Sequence, residues 1–371
     1  MSTVPLGHVA RACRRPAVLV GVGYGLVLVL LLATHDWDPR FFATLGPQWL
    51  RHDPDNRKAS DGIVFHAIAE TPFGDGMPTA YRRERILYPL LAHVLALGRP
   101  SLIPWTLVLA NWMAIILGTE LLYRLLVRSG SPGWIALAYG AWAGLGLALL
   151  RDTAEPVTYA CALLGIWWLQ RGGTTLAYPA LLGALLGRET AVLLVGPYLL
   201  LGDPRRAGIR RWLPGVLVLG LWQLWNVSVR LRLHGSPAPE RWIWLVPLLG
   251  FRSTRPFDVP FTVIFLFIPA AMTLVLAVRG LRRAPASPAL WAAVLNVFLV
   301  LSLPPRTAEL AWHSARVSTG LVASLVLATS LQHSAPRAWR LLAALFVGSS
   351  AWTLAVVVRY LFWDVVAIPG K

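Results

Sequence analysis

The strongest candidate for chemistry in this sequence is a carboxylate at the start of a short amphipathic stretch. Asp61 opens the segment SDGIVFHAIAE, residues 60–70, in which apolar side chains recur on one helical face. Ser60 or Asp61 could cap the first backbone N–H groups of such a helix. A carboxylate positioned by its own backbone could also act as a general base, and the two roles are compatible.

A second candidate is a basic run that suits a phosphate group. Tyr81-Arg-Arg-Glu-Arg85 precedes the apolar stretch 86–97, which is too short to span a membrane. Guanidinium groups bind phosphate oxygens in pairs, so Arg82, Arg83 and Arg85 could form a phosphate clamp in which the intervening glutamate fixes a rotamer. Alternatively, these arginines anchor the chain at anionic lipid headgroups.

Arg316 is a further candidate for binding phosphate. It ends the motif Trp312-His-Ser-Ala-Arg316, which also contains His313, and an apolar run follows directly. An arginine at the end of a membrane helix can contact a bound phosphate or extend towards lipid headgroups. Both interpretations place Arg316 at the membrane surface.

Two acid–base motifs interrupt otherwise apolar sequence. Arg151-Asp-Thr-Ala-Glu-Pro156 separates two apolar runs, and Arg188-Glu189 breaks another. The first motif suits the start of a helix, with its proline in the first turn. The second could be a buried ion pair, although desolvation offsets the attraction in such pairs. The candidates for orienting a ligand or the arginines are Asp152, Glu155, Arg188 and Glu189.

These residues must be positioned by membrane helices, because the composition excludes a soluble domain. The 371 residues are 56% hydrophobic and only 14% charged, whereas soluble domains are about one quarter charged. A membrane helix needs about 20 apolar residues. Spans are predicted at 16–34, 102–127, 133–150, 154–170, 212–228, 260–278, 287–303, 317–332 and 339–361, with short helices at 175–187 and 190–201. The predicted fold is therefore an all-α polytopic membrane protein with about eleven membrane helical elements.

The arginines predict how this single transmembrane domain, residues 1–371, is oriented. Fifteen arginines fall in the N-terminal segment and the short loops of one side, against six Lys/Arg in the short loops and tail of the other. The positive-inside rule then places the N-terminus in the cytoplasm. The two long loops, 35–101 and 229–259, lie outside, and the first should carry interfacial helices. All the candidate site residues share this outer side, which predicts one outward-facing polar chamber.

Several other classes of protein are excluded. The net charge of +17 could indicate nucleic-acid binding, but the basic residues punctuate apolar segments and form no single patch. Two cysteines, Cys13 and Cys161, cannot build a disulfide scaffold. The sequence has no phosphate loop, no paired Cys/His zinc spacing, no His-Glu-x-x-His and no Gly-x-Ser-x-Gly motif. No cofactor, metal site or nucleic-acid partner is therefore predicted.

Taken together, these motifs resemble the GT-C class of membrane glycosyltransferases. The segment Asp61–Phe73 looks like the "Asp…Ile-Ala" segment of lipid-linked-sugar mannosyltransferases, and Tyr81–Leu91 is similar to the segment that leads into their next helix. Glu155-Pro156 and the break at Arg188-Glu189 look like recurrent features of bacterial relatives. The likeness covers roughly residues 17–200, together with Arg316. Where the eukaryotic mannosyltransferases have Trp-Asp-Ser-x-His-Phe, this chain has Ser-Asp-Gly.

The resemblance implies an inverting transfer of a sugar from a polyprenyl-phosphate donor to an acceptor hydroxyl on a glycan, lipid or protein. The reaction would occur at the outer face of the bacterial plasma membrane, with Asp61 as the general base. One carboxylate can suffice because a lipid phosphate is a good leaving group, whereas glycosidases commonly need two. The donor phosphate would be bound by Arg82, Arg83, Arg85, Arg316 and His313.

Two other functions fit the same features. A transporter or flippase for a lipid-linked or anionic substrate would also have broken helices and charged residues within the membrane. A non-catalytic scaffold for envelope assembly is the third possibility. The absence of a convincing inverted repeat and the asymmetric first loop favour the transferase over the transporter.

Overall fold

The fold is described by a computed structural model that covers residues 15–44, 61–74, 80–201, 212–233, 247–254, 256–308, 311–331 and 336–366. Within these ranges every regular element is helical, which confirms the all-α prediction for this part of the chain. Ser60, the arginines of 1–14 and 205–211, much of the second long loop and Lys371 lie outside the described residues.

The α-helices are numbered here in chain order. The first ten are α1 Pro16–Ala33, α2 Arg40–Thr44, α3 Asp61–Glu70, α4 Ala80–Glu84, α5 Leu87–Leu95, α6 Ile103–Arg128, α7 Leu137–Gly140, α8 Ala143–Leu150, α9 Glu155–Arg171 and α10 Thr174–Gly187. The remainder are α11 Val192–Leu200, α12 Leu213–Arg232, α13 Val259–Thr262, α14 Ile268–Leu281, α15 Pro288–Leu301, α16 Pro305–Ala308, α17 Ala311–Val317, α18 Thr319–Ser330 and α19 Pro336–Val366.

Three helical segments are long and apolar enough to cross a membrane, namely Pro16–Ala33, Pro100–Arg128 and Val259–Leu281. The last contains a five-residue π-helical turn, Val263–Phe267, between α13 and α14. A fourth candidate is the bent pair formed by Gly133–Gly140 and Ala143–Leu150. The described residues therefore contain three or four candidate membrane spans.

The segment predicted as one span at 133–150 is bent in its middle by 46°. Trp142 adopts an extended backbone conformation at the bend, and its indole N–H donates to the carbonyl of Ala315 at 3.0 Å. Contact with a distant helix thus accompanies the break, and no charge or proline marks it in the sequence. The predicted span is therefore present as a bent pair of helices, and the bend itself was not predicted.

Other helix ends also differ from the predicted boundaries. The run at 317–332 divides at Ser318 into α17 and α18, and α12 extends to Arg232, beyond the predicted start of the second long loop. By contrast, the predicted break at Arg188 is confirmed, because this residue is extended between α10 and a 3₁₀ turn, Glu189–Ala191. Shorter apolar helical segments of 10–17 residues are Thr174–Gly187, Glu189–Leu200, Pro288–Leu301, Thr319–Ser330 and, within α19, Arg340–Ala355.

The core lies among the longer helices. α9 packs against α6 and α10, and α15 packs against α11, α14 and α18. A continuous apolar cluster runs through these helices and reaches α1 and α8. α9 runs from Glu155 to Arg171 and so joins two ends of the bundle. Gly172 caps its C-terminus, and the left-handed φ of 82° at this position favours glycine.

The helices predicted in the first long loop are present and pack onto this bundle. α3 contacts α2 and α5, and α5 lies along α6. Tyr88 of α5 is fully buried, donates its hydroxyl to Leu107 O at 3.1 Å and accepts a hydrogen bond from Asn111 at 2.9 Å. Phe65 of α3 meets the Tyr88 ring edge-on, with centroids 5.7 Å apart. These contacts fix the start of α3, and therefore Asp61, relative to α6.

Candidate active site

Asp61 contacts two arginines that come from distant parts of the chain. Arg316 Nη2, near the end of α17, lies 3.0 Å from Asp61 Oδ2, and Arg82 of α4 forms an ion pair with Oδ1. Asp61 is the first residue of α3, yet none of the described backbone N–H groups donates to its carboxylate. Its side chain is 21% exposed, so the carboxylate is reachable from solvent while the guanidinium groups hold it.

Glu155 lies behind Asp61 and connects Arg316 to Arg188. Its Oε1 accepts a hydrogen bond from Arg316 Nε at 2.9 Å and lies 2.8 Å from Arg316 Nη2, and Arg188 forms an ion pair with the same oxygen. All three side chains are buried, with Glu155 only 1% exposed. Charges removed from water are tolerated when they are paired in this way, because an unpaired buried charge costs several kcal/mol.

Glu189 makes a separate bridge to the basic run. Arg85 Nε and Nη2 donate to the two carboxylate oxygens of Glu189 at 2.9 and 2.7 Å, a bidentate geometry. The Tyr81 hydroxyl also donates to Glu189 at 3.2 Å, and the Arg85 guanidinium lies 4.3 Å from the Tyr81 ring centroid. Since Arg188 pairs with Glu155, the adjacent residues Arg188 and Glu189 do not pair with each other.

These side chains surround a cavity of about 480 Å³. Its charged wall consists of Asp61, Arg82, Arg85, Arg151, Arg188, Glu189, His313 and Arg316. Its apolar wall consists of Val192, Leu193, Trp222, Leu299, Leu303, Pro304 and Val317. These residues belong to α11, α12, α15, the turn that follows α15, and α17. A cavity lined by both charged and apolar side chains suits an amphipathic anion.

Two glycines permit the close backbone contacts that position this site. A Cβ atom on Gly62 would lie 2.6 Å from the carbonyl oxygen of Arg151 and 2.9 Å from the α2 backbone. Gly144 of α8 lies directly against the Ala315 carbonyl, the same group that accepts the Trp142 hydrogen bond. The first contact places the residue after Asp61, and the second places the residue before Arg316.

The arginines determine the charge state of Asp61. Burial alone would raise its pKa, but the charges of Arg82, Arg316 and Arg85, together with the Arg316 hydrogen bond, outweigh burial and hold the pKa well below its usual range. The carboxylate is therefore ionised at neutral pH, as a general base must be. Its basicity is low while both guanidinium groups contact it.

Three predicted site residues do not line the cavity. Arg83 is 3% exposed and donates to the carbonyl of Gly74, so it is not part of a clamp facing the cavity. Asp152 is fully buried beside Tyr88, and burial raises its pKa well above the usual range. Glu155 contacts the arginines from behind. The predicted residues brought together at the cavity are Asp61, Arg82, Arg85, Arg188, Glu189, His313 and Arg316.

Glu84 has a different role from the one predicted. Its carboxylate accepts hydrogen bonds from Arg230 Nε at 2.5 Å and Nη2 at 3.3 Å, so it does not orient the arginines of its own run. Its backbone carbonyl accepts the Trp225 indole N–H at 3.1 Å. Both contacts tie α4 to α12, which brings the charged and apolar walls together.

Sequence reasoning missed several residues of the cavity. Tyr81 stands at the start of a motif that was recognised, and Arg151 was expected on the same side as the other polar residues but was not given a role in the site. Thr190 likewise follows the recognised Arg188-Glu189 break. Trp222 lies inside a long apolar helix and carries no signal, because its place in the cavity follows from how α12 packs against α4.

Among the residues that the structure describes, no group of three or more His, Cys, Asp or Glu side chains is arranged to hold a metal ion. The carboxylates of the cavity are engaged by arginines instead. Comparisons of the chain with family models, with curated proteins and with solved structures found no match.

Proposed function

We propose that this chain is a polytopic membrane glycosyltransferase of the GT-C class, which transfers a sugar from a polyprenyl-phosphate donor to an acceptor hydroxyl with inversion. The observation that carries the proposal is Asp61 held between Arg82 and Arg316 at a cavity lined by both charged and apolar side chains. In this proposal about eleven helical elements cross or enter the plasma membrane. The N-terminus lies in the cytoplasm and the cavity faces outward.

The charge of the cavity fits a phosphodiester. Four arginines, Arg82, Arg85, Arg188 and Arg316, are paired with only three carboxylates, which leaves a net charge of +1 on these seven groups. Arg151 in the charged wall adds a further positive charge. The donor is a phosphodiester with a single negative charge, and its leaving group gains charge as the sugar departs. Fixed positive groups stabilise such a transition state without reorganisation.

The chemistry requires one base and one anion-binding group. The bond between the anomeric carbon and the phosphate oxygen breaks, and its electron pair stays on the phosphate beside Arg82 and Arg316. The acceptor oxygen bonds to the anomeric carbon from the opposite face, and its proton passes to Asp61. Glu155 and Glu189 hold the arginines in place, while the apolar wall that contains Trp222 accommodates the polyprenyl chain.

Donor binding would also activate Asp61. When phosphate oxygens take over the contacts of Arg82 and Arg316, the interactions that depress the pKa of Asp61 weaken, and its basicity rises. The carboxylate would thus become an effective base only once the donor is bound. This order prevents the acceptor hydroxyl from attacking the donor sugar before the arginines have bound the donor phosphate.

The proposal is tested by sugar transfer in membranes that contain the overproduced protein, using a panel of labelled polyprenyl-phosphate sugars and endogenous acceptors. Asp61→Asn should reduce consumption of the active donor by about 10²–10⁴-fold, the usual contribution of a general base. Asp38→Asn is the matched control, because Asp38 pairs with the exposed Arg40 on the same loop. Equal rates in wild type and Asp61→Asn would remove Asp61 as the base.

A transporter or flippase is the second candidate, and the broken helices favour it. The chain is bent by 46° between Gly133–Gly140 and Ala143–Leu150, and the interruption at Arg188 lies beside the buried carboxylate of Glu155, as in many transporters. The purified protein in liposomes separates the two functions. Movement of an intact labelled donor across the bilayer, without release of polyprenyl phosphate, would support transport and contradict the transferase.

A further inference from the structure

A second basic surface lies at the other end of α9. Arg124, Arg128 and Arg171 line a groove of about 840 Å³ together with Trp167 and Trp168; the remaining lining residues of this basic groove are Tyr123, Val127, Gly172 and Gly173. α9 begins at Glu155 beside the cavity and ends at Arg171 in the groove. Its 17 residues separate the two sites by about 24 Å at the α-helical rise.

The arginines of the groove have few internal partners. Glu120 accepts a hydrogen bond from Arg124 Nε at 2.8 Å and lies 3.7 Å from Arg15. Within the described part of the chain, no carboxylate lies within 4 Å of Arg128 or Arg171. Both side chains are exposed, so they are free to contact a ligand at the surface.

The groove is also shaped for the rest of a lipid. The Arg171 guanidinium lies 4.2 Å from the Trp167 ring centroid, which holds it over the aromatic face. Val127, which is half exposed, and Tyr123 add apolar and aromatic surface to the groove beside the arginines of α6. Gly173 allows the Trp168 ring to pack against the end of α9, where a Cβ atom would lie 2.6 Å from it. Tryptophan beside arginine is the combination that proteins place at headgroup depth.

We infer that the basic groove binds the headgroup of an anionic phospholipid. Arg128 and Arg171 would contact the phosphodiester oxygens, Trp167 and Trp168 would lie beside the glycerol region, and the acyl chains would follow the apolar face of α6. A phospholipid is favoured over free phosphate because the groove combines its arginines with aromatic and apolar side chains. This inference is independent of the reaction proposed for the cavity.

Native mass spectrometry of the full-length protein in mild detergent tests the inference. Phosphatidylglycerol and phosphatidylcholine are titrated in parallel, and retained lipid is counted. Phosphatidylglycerol should bind more tightly to the wild type. The double variant Arg128→Gln/Arg171→Gln should weaken it by about 30-fold, since each arginine near a headgroup contributes about 1 kcal/mol.

The matched control is Arg282→Gln/Arg283→Gln, which removes two exposed arginines after α14, outside the groove. Its affinity for phosphatidylglycerol should equal that of the wild type. Equal binding of the two lipids, or an equal loss in both double variants, would overturn the inference. Displacement of phosphatidylglycerol by millimolar inorganic phosphate would also overturn it, because the site would then bind free phosphate.

Discussion

The cavity and the basic groove differ in whether carboxylates of the protein itself are paired with their arginines. In the cavity, Arg188 and Arg316 are buried and share the carboxylate of Glu155. In the groove, Arg128 and Arg171 are exposed and lack a carboxylate partner among the described residues. A buried guanidinium must be neutralised within the protein, whereas an exposed one is solvated until a ligand arrives.

This difference implies two ways of binding an anion. A ligand in the cavity has to displace contacts that already exist, such as those between Asp61 and its two arginines, so binding there is coupled to a change in the site. A ligand in the groove adds contacts and displaces only water. Displacing existing contacts suits a site where ligand binding must change the reactivity of a group. Adding new contacts suits a site that only anchors a lipid.

The largest expected difference between the two regions concerns stability. Glu155→Ala leaves two buried guanidinium groups without their shared partner, and should lower the free energy of unfolding by about 3–5 kcal/mol. Glu120→Ala removes the partner of Arg124, whose side chain is 50% exposed, and should cost at most about 1 kcal/mol. Chemical unfolding in mixed micelles measures both. Equal losses would show that the two carboxylates have the same role.

The glycine next to Asp61 sharpens the comparison. Gly62→Ala forces a Cβ atom against the Arg151 carbonyl, and should cost about 1–3 kcal/mol in stability and reduce donor consumption. Gly220→Ala is the control, because nothing lies within 4 Å of its Cβ position in α12. That variant should be about 0.5–1 kcal/mol more stable, since alanine is favoured inside helices. A tolerated Gly62→Ala would contradict the close approach at the cavity.

The ion pairs of Asp61 should give a pH-dependent stability. Because its pKa in the folded protein is depressed, the stabilisation is complete above the unfolded-state value of about 3.9 and is lost as the pH falls through the lower folded-state pKa. The melting temperatures of wild type and Asp61→Asn should therefore differ by a constant amount between about pH 5 and 8 and converge below about pH 4. A difference that grows as the pH falls would contradict this charge state.

The smallest effect is expected from a hydroxyl group. Tyr81→Phe removes the hydrogen bond to Glu189 but keeps the ring beneath Arg85, so it should cost about 0.5–1.5 kcal/mol. Tyr123→Phe in the basic groove should be close to neutral, since none of the hydrogen bonds in the described residues involves its hydroxyl. Unfolding of the two variants in parallel decides whether hydroxyl contacts matter only at the cavity.

The sequence predicted the elements around the cavity better than their connections. The helices that begin near Asp61 and Leu87, and the break at Arg188, follow from local patterns of apolar and charged residues. The pairing of Asp61 with Arg316, 255 residues apart, depends on how α3 and α17 meet, which no local pattern encodes. The bend at Trp142 was missed for the same reason, because its hydrogen-bond acceptor is Ala315.

The central claim is that Asp61 removes the proton of an acceptor while the arginines hold the donor phosphate. The most direct measurement is the rate of polyprenyl-phosphate release by purified Asp61→Asn, relative to wild type, with donor and acceptor both saturating. The account predicts a rate lower by about 10²–10⁴-fold, with Asp38→Asn unchanged. Release by Asp61→Asn at the wild-type rate, in a folded protein, would contradict it.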